Sequence, residues 1–333
     1  MLSLGELSNL TFMTVRQSML EARSQSLGQS MTTGVVAEKS AHLRGSTIGL
    51  ALLDRKSDLL QQFKTNLTEA AFVAQSQQLV LGEIQENSER LINDLALVSQ
   101  QASPEAIDSL SKQASFIFKD IVNSLNSHVA GRFLFSGTST QHAPLINGDT
   151  ILLEIEAAIA GATSSSDLIN SIDAWFDTGG GFETIAYQGA TSGHLRFPIG
   201  DEATVSFDLR ADDKAIRDIL KAAALARFAQ DDSTSLSASD RQDVIETARS
   251  ELIASKDDII ALRADIGAKE ELFSTKATGI ESKLHQLSLD KNSLIGIDQY
   301  ESATEFEAVQ QNLDVLYRIA ARQNRTSLAE YLR

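Results

Sequence analysis

Apolar residues recur every seven positions along two long stretches of this 333-residue sequence. In the first stretch, eleven of thirteen stripe positions are apolar; they are Leu60, Phe63, Leu67, Ala70, Ala74, Gln77, Leu81, Ile84, Ser88, Leu91, Leu95, Val98 and Ala102. In the second, eight consecutive positions are apolar; they are Ile245, Leu252, Ile259, Ile266, Phe273, Ile280, Leu287 and Leu294. A seven-residue repeat keeps a stripe against one partner only if helices wrap around each other. The sequence therefore predicts two long helices packed as an antiparallel coiled coil.

Residues that break helices are concentrated in the middle of the chain. The only prolines are Pro104, Pro144 and Pro198, and ten of the 19 glycines fall between positions 131 and 200. Glycine and proline end helices and mark turns. We expect Pro104 to begin a restarted helix that Ser103 caps. The two ends of the chain are therefore expected to be helical, and the middle to form a different structure.

In the middle of the chain the apolar period changes toward two, which is typical of strands. Strands are predicted at 133–135, 151–155, 184–187, 194–199 and 204–209, and helices at 168–175 and 214–228. The predicted fold class is α+β and mainly α. Long antiparallel, coiled-coil-like helical arms run from both termini, with a small β-rich central domain inserted between them.

Five segments follow from these patterns. They are an N-terminal assembly arm at 1–46, a long core helix at 47–130, a central domain at 131–237, a second core helix at 238–294 and a C-terminal assembly arm at 295–333. Ser239 and Gln242 have the spacing of a capping box, so we expect the second core helix to begin beside them.

Each terminal arm carries a shorter apolar stripe. The nine stripe residues are Met13, Leu20, Leu27, Met31, Phe306, Val309, Leu313, Leu316 and Ala320. An isolated amphipathic helix is only marginally stable in water. We therefore predict that these residues form an interface, either with each other or with neighbouring subunits.

The charge and composition exclude several classes of protein. The chain has 29 Lys and Arg against 45 Asp and Glu, a formal net charge of −16, which has the wrong sign for binding phosphate backbones. No run approaches the roughly 18 to 20 apolar residues that span a bilayer, and the start lacks the pattern of a cleaved signal peptide. The absence of cysteine excludes disulfides and zinc sites built on sulfur. We expect no nucleic-acid partner and no membrane insertion.

Candidate catalytic groups are sparse. The five histidines show no metal-binding spacing; they are His42, His128, His142, His194 and His285. The glycine triplet at 179–181 lacks the residues of a phosphate-binding loop and predicts a turn. We predict no catalytic, cofactor-binding or metal-binding residues and no enzymatic activity.

Several short motifs resemble those of the bacterial flagellin family, and more closely those of the hook-associated proteins at the hook-filament junction. At the C-terminus the matching residues are Asp298, Glu301, Thr304, Ser327, Leu328, Tyr331 and Leu332. Earlier in the chain they are Phe133, Phe135, Ser136, Gly137, Tyr187, Gly189, Arg263 and Gly267. The N-terminal part departs from the family pattern, because Met31-Thr32-Thr33-Gly34 stands where Leu-Ser-Ser/Thr-Gly is common.

The resemblance implies a structural component of the extracellular bacterial flagellum that joins the hook to the filament by packing paired terminal helices into the tube. It implies type III export without a cleaved signal, and a central domain on the outer surface. The implied partners are an adjacent hook-associated protein, flagellin, other copies of this chain in a ring-like layer, and an export chaperone at the C-terminal helix. The acidic charge would oppose premature association.

Three other interpretations stay open from the residues alone. A short flagellin that builds the filament itself would share the terminal arms. A cytoplasmic coiled-coil scaffold would also show the heptads, although the glycine-rich insertion argues against it. An enzyme is the weakest alternative.

Overall fold

The computed structural model describes residues 4–100 and 103–331, with side-chain surroundings for 11–99 and 103–322. Its helices are α1 Leu4–Thr33, α2 Lys39–His42, α3 Ile48–Gln100, α4 Pro104–Leu125, α5 Gly148–Ile159, α6 Ser165–Phe176, α7 Lys214–Phe228, α8 Ala238–Ile295 and α9 Gln299–Tyr331. Its strands are β1 His128–Val129, β2 Arg132–Phe133, β3 Leu195–Pro198 and β4 Thr204–Phe207, and a π-helical turn spans Phe182–Ala186. The predicted mainly α, α+β class is confirmed.

Contacts divide the chain into two compact units. Unit 1 contains the described parts of 1–62 and 280–333, and unit 2 contains those of 63–279. Helices α3 and α8 contribute residues to both units. The division into five segments stays a prediction.

The core of unit 2 is built on the two heptad helices. Leu81, Ile84 and Leu91 of α3 are fully buried, as is Ile259 of α8. Polar contacts fix the helix directions: Gln78 Nε2 donates to the Arg263 carbonyl oxygen at 3.2 Å, and Lys256 Nζ lies 2.9 Å from Glu89 Oε1. Higher numbers on α3 therefore meet lower numbers on α8. The predicted antiparallel packing of these two helices is confirmed.

The apolar stripe of α8 is buried as predicted through Leu287, but its last member is not. Leu294 is exposed and the next residue, Ile295, is fully buried. Ala102, the last position of the α3 stripe, lies outside the described residues.

Helix α4 begins where the proline predicts. Ser103 is its N-cap and accepts a hydrogen bond from the Ala106 backbone N–H at 3.2 Å, and Pro104 occupies the first turn. Pro104 needs no hydrogen-bond donor there, because the first N–H groups of a helix have no partner within it. Both features of this prediction are confirmed.

The capping pair of α8 was predicted two residues too late. The helix begins at Ala238, and the capping pair is Ser237 and Asp240 rather than Ser239 and Gln242. The Asp240 backbone N–H donates to Ser237 Oγ at 3.2 Å, and the Ser237 backbone N–H donates to Asp240 Oδ2 at 3.1 Å. The pairing is reciprocal, with aspartate in place of the usual glutamate or glutamine.

The central region holds less strand than predicted. Strands β3 and β4 pair antiparallel, with Phe197 opposite Val205, and β1 and β2 form a second hairpin. The strand predicted at 151–155 is wrong, because these residues lie in α5, which buries Ile151, Ile155 and Ile159 on one face. The strand predicted at 184–187 is also wrong, since most of it lies in the π-helical turn. Short apolar runs do not distinguish a buried helix from a strand.

Candidate assembly surface

In unit 1 the terminal helices α1 and α9 pack against each other. Leu27 of α1 and Val309 and Leu313 of α9 form a buried cluster, with Leu20 and Phe306 packed against it. Both helices present apolar residues at spacings of three, four or seven, which places these residues on one face. The two terminal stripes thus bury each other within one chain.

Polar contacts flank this apolar cluster. Arg23 Nη2 lies 2.6 Å from Glu305 Oε1, and Gln310 Nε2 donates to Ser24 Oγ at 2.7 Å. Tyr317 donates its hydroxyl hydrogen to Glu21 Oε1 at 2.8 Å. Hydrogen bonds from Gln17 and Tyr317 lower the pKa of the Glu21 carboxyl, and this carboxyl in turn raises the pKa of Tyr317. Glu21 meets Tyr317 whereas Gly28 lies beside Phe306, so higher numbers on α1 meet lower numbers on α9 and the two helices run antiparallel.

The segments that join these helices to the rest of unit 1 are also paired. Val36 N–H donates to the Ile295 carbonyl oxygen at 2.9 Å, and Ile297 N–H donates to the Gly34 carbonyl oxygen at 3.2 Å. Gly34 ends α1 at φ +74°, a left-handed conformation that glycine adopts without strain. The end of α1 and the start of α9 are therefore hydrogen-bonded side by side.

The structure separates the nine predicted interface residues into three groups. Buried or packed against the cluster are Leu20, Leu27, Phe306, Val309, Leu313 and Leu316. Met13 and Ala320 are half-buried, and Met31 is exposed. Six of the nine thus have an intramolecular role, and contact of any of them with a neighbouring subunit stays a prediction.

A second set of apolar residues lies on the outer faces of the pair. Phe12, Val15 and Met19 of α1 are exposed, as are Val315 and Ile319 of α9. Their spacings of three and four residues align them along one face of each helix. These outer stripes were not predicted from the sequence, although the same spacing rule identifies them once the inner face of each helix is known.

Three of the C-terminal motif residues, Asp298, Glu301 and Thr304, lie where α9 begins. Asp298 caps the helix, since its Oδ1 accepts hydrogen bonds from the backbone N–H groups of Tyr300 and Glu301 at 2.9 and 3.1 Å. Thr304 donates its hydroxyl hydrogen to the Tyr300 carbonyl oxygen, and Glu301 is exposed. Leu332 lies outside the described residues, as do the side chains of Ser327, Leu328 and Tyr331.

Two motif segments that are distant in sequence meet in unit 2. The Ala190 backbone N–H donates to the Ser136 carbonyl oxygen at 3.0 Å, and Phe135 and Ser136 are fully buried. Tyr187 donates its hydroxyl hydrogen to the Ala190 carbonyl oxygen at 3.0 Å. A Cβ atom at Gly189 would clash with the Tyr187 ring, so the Tyr-x-Gly motif allows the tyrosine to fold back over its own loop.

The other motif residues have separate surroundings. Phe133 pairs with His128 across the β1–β2 hairpin, and Gly137 adopts φ +62°. Arg263 Nη1 donates to Gln85 Oε1 at 2.6 Å, whereas a Cβ at Gly267 would contact nothing within 4 Å. The structure gives no steric reason for a glycine at position 267.

The glycine triplet forms a turn, as predicted. Gly179 has φ +78°, and a Cβ atom at Gly180 or Gly181 would clash with the segment that carries Trp175. Within 4–100 and 103–331, no helix is both long and apolar enough to cross a bilayer. The same residues contain no group of three or more His, Asp or Glu side chains placed to hold a metal ion.

Three solved structures share this fold. A protein from Vibrio parahaemolyticus, assigned as a flagellar hook-associated protein, has a TM-score of 0.53 and 13% identity over 74% of this chain and 96% of its own. FlgL from Bacillus cereus has a TM-score of 0.53 and 13% identity over 73% and 100% of the two chains. FlgL from Xanthomonas campestris has a TM-score of 0.50 and 13% identity over 72% and 99%.

No protein-family model and no curated protein matches the sequence. At 13% identity, the three structural similarities establish the fold. The resemblance to hook-associated proteins that the sequence motifs predict is confirmed at that level.

Proposed function

We propose that this protein is a structural component of the bacterial flagellum that joins the hook to the filament. The observation that carries the proposal is the fold shared with FlgL, the hook-associated protein 3. The α1/α9 pair adds a physical reason, since its outer faces expose apolar side chains that a neighbouring subunit would cover. In this proposal the terminal pair packs into the tube and the protein has no enzymatic role.

The remaining elements of the proposal follow from this role. The protein leaves the cell through the flagellar type III apparatus without a cleaved signal and resides in the extracellular flagellum. It contacts an adjacent hook-associated protein, flagellin and other copies of itself in a ring-like layer, and an export chaperone binds its C-terminal helix. The absence of cysteine suits export of an unfolded chain, because no disulfide has to be opened. The net charge of −16 makes the monomers repel one another before assembly.

The test is complementation of a deletion strain with variants of the outer stripe. Val315→Asp combined with Ile319→Asp alters exposed positions, so the monomer should fold and be exported. We expect hooks without filaments and flagellin released into the medium, because charged groups cannot be buried unpaired in an interface. Asn312→Asp adds a charge at an exposed polar position of the same helix and should restore motility.

Normal filaments on cells that carry the double variant would contradict the assembly role of the outer stripe. The short-flagellin alternative predicts a different result for the purified wild-type protein, which would polymerise into long filaments. A junction protein should stop at a short layer.

A further inference from the structure

The beginning of α9 presents an outward row of side chains between two carboxylates. Tyr300, Thr304 and Ala308, here called the α9 face, are exposed and line one shallow surface pocket, and their spacing of four residues aligns them along the helix. Glu301 and Glu307 are exposed on either side of this row. Neither carboxylate has an ion-pair or hydrogen-bond partner in the part of the chain that the structure describes. The α9 face is therefore bordered by unpaired negative charge.

Helix α1 presents an outward row with a charge of the opposite sign. Phe12, Val15 and Met19, here called the α1 face, are exposed. Arg16 is exposed at the edge of this row, since it lies four residues after Phe12 and three before Met19. Its guanidinium group has no ion-pair or hydrogen-bond partner among the described residues. The α1 face is therefore apolar and is bordered by an unpaired cation.

The two faces cannot meet within one chain. The helices run antiparallel, and the hydrogen bond between Ser24 and Gln310 sets their register. Counting eight residues back along α1 and eight forward along α9 places Arg16 at the level of Arg318. Glu307 is eleven residues from that level, about 16 Å at 1.5 Å per residue, which the two side chains cannot span. Contact between the faces therefore requires two molecules.

Charge selects which faces of two copies fit together. Contact between two α1 faces would bring two Arg16 side chains together, and contact between two α9 faces would bring their carboxylates together. An α1 face on an α9 face instead places Arg16 beside Glu301 and Glu307, so the charges are complementary. The lengths also agree, because the α1 face spans about 10 Å and the α9 face about 12 Å at 1.5 Å per residue.

We propose that the α1 face of one copy of this chain docks on the α9 face of the next copy. The large side chains of the α1 face lie over the small Thr304 and Ala308, and Arg16 pairs with the carboxylates beside them. Each copy uses one face and offers the other, so the contact is heterologous and extends to further copies instead of closing a dimer. This inference rests on the proposed function, since the layer of copies brings the two faces together.

The experiment is cysteine cross-linking in flagella isolated from the complemented deletion strain. The chain has no cysteine of its own, so introduced cysteines report one contact. Val15→Cys and Thr304→Cys, combined in one chain, lie at the centres of the two faces and change exposed side chains. With a short bismaleimide we expect a ladder of dimers and larger multiples. Gln29→Cys with Thr304→Cys is the matched control, because Gln29 is exposed on α1 outside the α1 face; this chain should stay monomeric.

A charge exchange tests the same contact without a cross-linker. Arg16→Glu places like charges together, so we expect the fraction of hooks that carry filaments to fall about tenfold. Adding Glu301→Arg and Glu307→Arg to the same chain restores opposite charges and should restore the filaments. Arg16 is exposed, so Arg16→Glu should leave the hydrogen exchange of the monomer unchanged.

Two results would overturn the proposal. One is a purely monomeric product from the Val15→Cys and Thr304→Cys chain in flagella that carry normal filaments. The other is a charge exchange that does not behave as expected: either Arg16→Glu has no effect, or the threefold exchange restores nothing, which would assign the α1 face to flagellin or an adjacent hook-associated protein. A wild-type chain that fails to restore filaments would instead contradict the proposed function.

Discussion

The two units of the chain bury their apolar residues to very different extents. In unit 2, α3 and α8 enclose a continuous row of fully buried side chains that includes Leu81, Ile84 and Ile259. In unit 1, α1 and α9 share a small cluster around Leu27 and leave apolar residues such as Phe12 exposed. Unit 2 exposes apolar side chains as well, for example Leu79 and Phe116, so the two units differ in the size of the buried core rather than in what they expose. The larger core can hold unit 2 together as a monomer. The same heptad-like spacing thus builds a large core in one region and, in the proposed function, an assembly element in the other.

The largest expected effect is on the core of unit 2. Leu81 is fully buried and Leu79, two residues away on the same helix, is 67% exposed. Leu81→Ala should lower the free energy of unfolding by about 2 to 5 kcal/mol because it leaves a cavity. Leu79→Ala should change it by less than about 0.5 kcal/mol. Denaturant unfolding of the monomer measures both, and equal effects would show that the heptad face is not the core.

The second prediction concerns the inner face of the terminal pair. Leu313→Asp places a carboxylate in the buried cluster of unit 1, so α1 and α9 should separate. Hydrogen exchange should then become fast at 11–31 and 306–320 and stay slow at 63–99. Val315→Asp on the outer face should leave exchange unchanged in the monomer. If both variants behave alike, the inner and outer faces have been assigned incorrectly.

The third prediction uses the buried tyrosine of unit 2. Burial raises the pKa of Tyr187 from 10.0 to about 12. The neutral form is favoured in the folded protein, so its contribution to stability is complete below pH 10 and is lost as the pH rises from 10 to 12. Tyr187→Phe should remove this dependence and cost about 0.5 to 1.5 kcal/mol at pH 7 through its lost hydrogen bond.

The measurement for this third prediction is unfolding between pH 8 and pH 12, by circular dichroism, of the wild type and Tyr187→Phe. Tyr300→Phe is the control, because that side chain is 84% exposed and lies in unit 1. If stability depends on pH in the same way in the wild type and in Tyr187→Phe, burial does not raise the pKa of Tyr187.

The smallest expected effect is at the start of α8. Hydrogen bonds from Ser237 and Ser165 lower the pKa of Asp240 to about 2. The ionised form is favoured in the folded protein, so its contribution is present above about pH 4 and is lost as the pH falls toward 2. Asp240→Asn should therefore lower the midpoint temperature of thermal unfolding at pH 6. Below pH 2 the midpoint of the variant should equal that of the wild type. If the midpoints of the variant and the wild type differ by the same amount from pH 2 to pH 6, the ionised form of Asp240 does not stabilise the helix start.

The sequence predicted the long elements better than the short ones. Helix α7 has the predicted bounds. The stripe from Ile245 to Leu287 is buried as predicted, because an apolar residue repeated many times at one spacing fits only one buried face of a long helix. The run at 151–155 was misassigned since a five-residue segment with four apolar residues suits a strand or a helix equally. The N-cap that Asn147 supplies to α5 was the local signal that distinguishes them.

The candidate site was predicted in part. The inner stripe containing Leu27 and Leu313 followed from spacing alone, and the structure shows that it is buried within one chain. The outer residues Phe12 and Val315 were missed because a helix with apolar residues on two faces gives no single stripe. Which face meets the partner helix depends on the α1/α9 contact itself, which links residues nearly 300 positions apart.

Immunogold labelling of isolated flagella, with an antibody raised against residues 131–237, tests the proposed role most directly. If the protein joins the hook to the filament, the gold should mark one short zone between the two structures and leave the rest of the filament unlabelled. Labelling along the whole filament would support a filament subunit instead. Flagella without any label, from cells that produce the protein, would contradict a flagellar role.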